Sequence, residues 1–166
     1  MSAVAVERTR TVTWQDPVAL ANELRKVSGL VGLRKILSGE LSAPPVAALL
    51  GILPSAVEEG MVAMALEPAE HLYNPLGAVH GGVIATLCDT VMACAVHSTL
   101  PAGTGYTTAE LHINFVRPVV AKTGRVTATG RVLHSGGRLA TAEARLVDDA
   151  GTLYAHATTT CLILRP

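Results

Sequence analysis

Asn74-Pro-Leu-Gly-Ala-Val-His-Gly-Gly-Val-Ile-Ala-Thr-Leu-Cys-Asp89 is the stretch whose reading decides the fold. It divides into a loop carrying Asn74, a turn at His80-Gly81-Gly82, and a long apolar helix with Asp89 about two turns inside it. On a helical wheel Thr86, Asp89, Thr90, Ala93 and His97 share one face, while Ile84, Leu87, Cys88, Val91 and Ala95 share the other. No Lys, Arg or Glu occurs from Gly82 to Ser98, whereas a surface helix carries long charged residues on its wet side. The helix is therefore expected to be buried on both sides, one against a sheet and one against something else. Asp is almost never fully buried without a partner, so this acid is either held by hydrogen bonds or kept for chemistry.

The two glycines add a second clue. A helix that opens at Gly81-Gly82 has free backbone N–H groups in its first turn, where partial positive charge also collects. With no side chains in the way, a carbonyl oxygen can approach those donors as an oxyanion hole requires. A tight turn is the plainer account of a Gly pair. Gly81 and Asp89 are eight residues apart, or roughly 12 Å along a helix. A single reacting atom does not easily touch both. The acid facing a given Gly81 is then expected from a second copy of the helix, antiparallel across a two-fold axis.

The 166 residues suit one domain with a real core. Hydrophobic content of 49% against 16% charged leaves much apolar surface to hide, which fits an oligomer. Zero net charge, 3% aromatic residues and no basic block disfavour nucleic acid and membrane as partners. The first ten residues lack the apolar run of a secretory leader, and Gly82–Val96, broken by Thr86, Asp89 and Thr90, reads as too short for a bilayer. A cytoplasmic, reduced protein is the expectation. Cys88, Cys94 and Cys161 show no metal-ligand spacing, and the first two sit on the buried helix as small hydrophobes. His71, His112, His134 and His156 show none either, so no metal and no cofactor is expected.

Upstream, residues 1–15 read as a loose tail with a short strand at Thr9–Trp14. Asp16-Pro17 starts a helix that Gly29 ends, and Leu30–Leu37 forms a second. Pro44-Pro45 punctuates before a helical turn at Val46–Leu50, closed by Gly51. Residues 1–44 form a helical extension and 45–166 the main domain. Gly60–Glu67 has strand length. Downstream of the helix come four strands, Tyr106–Val116, Gly124–His134, Arg138–Val147 and Thr152–Leu164, with short Gly-rich connectors that favour antiparallel hairpins. The expected class is α+β, one antiparallel sheet wrapped around one helix.

That order, with Pro45-Val-Ala-Ala-Leu-Leu-Gly51, Asn74, Val79-His-Gly-Gly82, Asp89, Thr107-Thr-Ala-Glu-Leu111, Asn114-Phe-Val-Arg-Pro118 and Tyr154-Ala-His-Ala157, resembles the hotdog-fold acyl-CoA thioesterases. The PaaI-like (phenylacetate-pathway) branch is the most similar, over about Pro45 to Leu164. The resemblance implies roles. Asn74 lies near the thioester and water, His80 lines the site, and Gly81 donates its N–H to the thioester carbonyl. Asp89 is the catalytic carboxylate, assisted by Thr107 or Thr108. It also implies an acyl-CoA substrate, CoA being part of that substrate, and sites shared across a homodimer, often within a homotetramer.

The chemistry is consistent with those roles. A CoA thiolate leaves without a strong acid, so the demands are carbonyl polarisation and an activated water. Gly82, Thr86 and Thr90 on the helix's small face are further substrate-binding candidates. Arg117, Lys122, Arg131 and Arg138, near strand ends or turns, are the phosphate candidates, with Arg138, directly after Gly136-Gly137, the best of them. His97 reads as a partner of the helix C-terminal dipole. Aryl and medium-chain acyl groups both remain open. Hotdog hydratases pair an Asp with a His five residues later, and position 94 is Cys. The remaining rival is a non-catalytic acyl-CoA sensor.

Overall fold

The computed structural model describes residues 6–165. Three short helices come first: α1 (Pro17–Arg25), α2 (Gly29–Leu37) and α3 (Pro45–Leu50). Strands β1 (Ile52–Glu58) and β2 (Met61–Leu66) precede the long helix α4 (Gly81–Ser98). Strands β3 (Gly105–Phe115), β4 (Val126–Ser135), β5 (Leu139–Asp148) and β6 (Leu153–Leu164) follow. They form one six-stranded antiparallel sheet in the order β1-β2-β4-β5-β6-β3, curled around α4, which is the hotdog fold.

Small residues under α4 determine how close it sits. Ala128, Ala140, Ala142, Ala144, Ala155 and Ala157 are all fully buried on β4, β5 and β6. A Cβ placed on Gly130 of β4 would lie 2.5 Å from the carbonyl carbon of Val91. Glycine is therefore required where helix backbone meets strand backbone. Leu87, Cys88, Val91, Met92, Ala95 and Val96 complete the core from the helix side, each with no exposed surface.

Four expectations need correction. The segment Thr9–Trp14 forms no strand; instead the Arg10 guanidinium donates to the Leu49 carbonyl at 2.9 Å, a side-chain tie rather than a ladder. Met1–Ala5 of the same tail lies outside the described residues. Gly29 does not end α1, which stops at Arg25; it opens α2 behind the Ser28 cap. Its backbone N–H donates to the Leu100 carbonyl at 3.0 Å, and a Cβ there would sit 1.8 Å from the His97 carbonyl oxygen. Strand β1 was not anticipated, because Pro54 and the adjacent register shift disguise it, as befits an edge strand. The four strands after α4 are not all joined as hairpins either: β4, β5 and β6 pair in succession, but β3 pairs with β6 and β4 with β2.

At 18 residues and mean hydropathy 1.3, α4 is long and apolar enough to cross a bilayer on composition alone, contrary to the shorter run read from the sequence. Its sheet-facing side is nevertheless packed inside the protein.

Candidate active site

His80 caps α4: its Nδ1 accepts from the Gly82 N–H at 2.9 Å. This has two consequences. The Gly82 donor is consumed, so Gly82 is not available to polarise a carbonyl. An accepting Nδ1 also places the proton of the neutral ring on Nε2, leaving that nitrogen a donor. Among the described residues nothing accepts from the Gly81 N–H. The Phe115 ring packs over Gly81, with its Cζ 3.2 Å from where a Cβ would stand. Only glycine admits that ring without a shift.

A cleft of about 300 Å³ opens beside this helix tip, lined by Asn74, Gly81, Ile84, Phe115 and Arg117 among others. The Asn74 amide oxygen is engaged in its own loop, accepting from the Leu76 and Ala78 N–H groups at 2.9 and 3.3 Å. Asn74 therefore shapes the cleft wall through a turn rather than through a free carbonyl. The Arg117 guanidinium donates to the Leu153 carbonyl at 2.7 Å. Arg138 is at the other end of β6, where its carbonyl accepts from Ile163. Ten strand residues, or roughly 33 Å, separate Leu153 from Ile163. Only Arg117 lies beside Gly81 within one subunit.

Asp89 is half-buried on α4, and the Thr108 hydroxyl donates to its Oδ1 at 2.8 Å. Of the two threonines, Thr108 is the one whose hydroxyl reaches Asp89. Strand alternation turns Thr108 inward opposite Cys161, while Thr107 is exposed opposite Leu162. Thr86 and Thr90 donate their hydroxyl protons back into the helix, to the Gly82 and Thr86 carbonyls at 2.8 and 2.7 Å. Neither is left as a hydroxyl donor toward substrate.

The thiols near the acid are inert. Burial, reinforced by the Asp89 charge, pushes Cys88 up to about 12. Burial also holds Cys94 at about 12, against a lowering hydrogen bond from Tyr106, and raises Cys161. All three stay protonated at neutral pH, which removes a thiolate nucleophile from consideration. The Tyr106 hydroxyl is likewise raised well above its ordinary value, chiefly by burial. His97 is not a charged dipole partner as anticipated: burial lowers its pKa, and its ring lies 5.0 Å from that of Tyr106. Phe115 and Tyr106 were not foreseen as neighbours of the site. Inward alternation with Thr108 was the available signal for Tyr106.

The thioesterase superfamily model matches residues 76–155, the span that holds α4 and most of the sheet. A Halobacterium salinarum protein assigned as an esterase is 32% identical over 114 residues, covering 66% of this chain and 74% of its own. The chain belongs to the thioesterase superfamily. This thioesterase also superposes on the crystal structure of a phenylacetic acid degradation-related protein from Ralstonia eutropha, itself assigned as a thioesterase. The TM-score is 0.70 at 32% identity, covering 78% of this chain and 97% of that one. The 1,4-dihydroxy-2-naphthoyl-CoA hydrolase of Listeria monocytogenes is 27% identical over 104 residues, 63% of the thioesterase and 83% of the hydrolase. The thioesterase is thus a PaaI-like thioester hydrolase of hotdog fold.

Proposed function

We propose that this thioesterase hydrolyses an aryl or medium-chain acyl-CoA, with Asp89 as the catalytic carboxylate and the Gly81 N–H as the donor to the carbonyl. The observation that carries the reading is the Thr108–Asp89 hydrogen bond, which holds a half-buried carboxylate of α4 in place beside the edge strand β3. The Listeria relative, named as a CoA-thioester hydrolase, supports a CoA thioester as the substrate. Developing charge on the carbonyl oxygen meets the Gly81 donor and the positive end of α4. A water gives its proton to Asp89 as its oxygen bonds the carbonyl carbon; collapse of the adduct expels the CoA thiolate. Alternatively, the Asp89 carboxylate attacks the carbonyl carbon first and expels the CoA thiolate, and water then cleaves the resulting anhydride to the free acid and the Asp89 carboxylate. Single-turnover hydrolysis in oxygen-18 water separates the two, because label in the Asp89 carboxylate assigns the nucleophile.

The helix rise keeps Gly81 and Asp89 of one chain apart, so the reading places each site between two subunits. The half-buried polar face of α4 and the unpaired outer edge of β3 among the described residues support such a dimer. Mixed dimers provide the test. Asp89→Asn and Gly81→Val chains, each inactive alone, should regain thiol release when refolded together, since one composite site is intact. No recovery in verified mixed dimers would place both groups in one chain. Binding of acyl-CoA without thiol release by the unaltered protein would favour the sensor.

A further inference from the structure

A small apolar cavity lies against α4 at Thr90, one residue beyond Asp89, and its wall is not built by the sheet alone. Its volume is about 60 Å³, enclosed between α2, α3, β1, β2 and α4. Leu33 and Ile36 of α2 form one wall, with Ala43 and Ala47 beside them. Thr90 and Cys94 of α4 form the other. Thr90 directly follows Asp89, so the cavity begins about 4 Å along the backbone from the carboxylate residue. No Lys, Arg, Asp, Glu or His lines it. The two heteroatom-bearing side chains that do are muted: Thr90 donates to the Thr86 carbonyl, and Cys94 is a neutral thiol. The lining suits hydrocarbon and nothing charged.

We propose that the N-terminal helices, through Leu33 and Ile36, close an acyl-tail chamber that limits the thioesterase to short aliphatic ends and excludes an unsubstituted ring. The inference rests on Asp89 being the reacting carboxylate, since that fixes where the acyl carbonyl lies. Size decides the ligand class. An engineered apolar cavity of about 150 Å³ accommodates benzene, more than twice the volume available here. A few methylenes fit; a phenyl group requires the walls to move. Each methylene lodged in or refused by such a pocket changes specificity by about tenfold or more. The aryl-or-medium-chain range thereby narrows to acyl groups whose far end is a short alkyl chain.

The test measures kcat/KM by thiol release for straight-chain acyl-CoAs from two to twelve carbons, and for phenylacetyl-CoA (about seven substrates suffice for a length profile). The proteins are the full chain, Leu33→Ala, Ile36→Ala and Ala43→Leu, each with its Tm. Leu33 belongs to the packed core, so half-buried Ile36 supplies the milder enlargement. Enlargement should move the optimum about two carbons longer and raise phenylacetyl-CoA turnover about tenfold relative to the short chains. Ala43→Leu should move it the other way. Folded variants that keep the parental length profile overturn the chamber while leaving Asp89 in place. An unaltered protein that prefers phenylacetyl-CoA overturns it too. If the unaltered protein releases no thiol from any substrate, the assignment of Asp89 falls and the chamber with it.

Discussion

The two long sides of α4 differ in what they are for. Leu87, Cys88, Val91 and Ala95 are wholly enclosed and make only packing contacts with the sheet. Thr86, Asp89 and Thr90, a third of a turn away, are half-buried, and Thr90 lines the small cavity. The packed side fixes where the helix lies, and the other side is only partly covered. On the proposed function, stability and chemistry are therefore carried by different residues of the same 18-residue element.

That separation can be broken by substitution. Asp89→Asn should lower kcat on the order of 10²- to 10⁴-fold with little change in Tm. A parallel collapse in Tm would show that the acid holds the fold instead. Leu87→Ala is the mirror experiment: about 2–5 kcal/mol of stability lost in denaturant melts, with kcat of the surviving folded fraction preserved. Thr108→Val removes a hydrogen bond to a carboxylate, worth about 1.5–3 kcal/mol, and should cost about tenfold or more in kcat. Thr107→Val, on the outer face, should stay within about twofold, well under the hydrogen-bond effect. Equal losses at the two threonines would erase the distinction drawn from the Thr108 geometry.

The smallest effect concerns pH. His97 has a lowered folded-state pKa because burial disfavours its charged form. Below about 6.5 the unfolded chain takes up a proton that the folded chain resists, so stability should fall as pH drops from there toward the folded value. Tm measured at pH 7.5 and 5.5 should show this decline, and His97→Phe should flatten it. His71, lowered by burial and by Arg10, contributes in the same direction.

Much of the site could be read from periodicity. The absence of long charged residues on α4 predicted burial on both sides; the sheet side is buried, whereas Thr86, Asp89 and Thr90 are half-buried, and Gly81-Gly82 marked its tip. The choice between Thr107 and Thr108 stayed open because alternation gives two faces without saying which is inward; the structure turns Thr108 toward Asp89. Gly29 was misread because a glycine at a helix boundary looks the same whether it ends one helix or opens the next. Its reason is tertiary: the His97 carbonyl occupies the space of any side chain. Strand β1 was hidden by Pro54, whose missing N–H is tolerable only at a sheet edge. His80 combined a motif that suggested chemistry with a local bond that makes it a cap.

The alanine floor beneath α4 has an engineering consequence. Where backbone nearly touches backbone at Gly130 and Val91, added bulk has nowhere to go, so the sheet offers poor ground for diversification. Mutational libraries aimed at new acyl groups belong in residues 30–47, where walls can be rebuilt without tilting the rod that carries the acid.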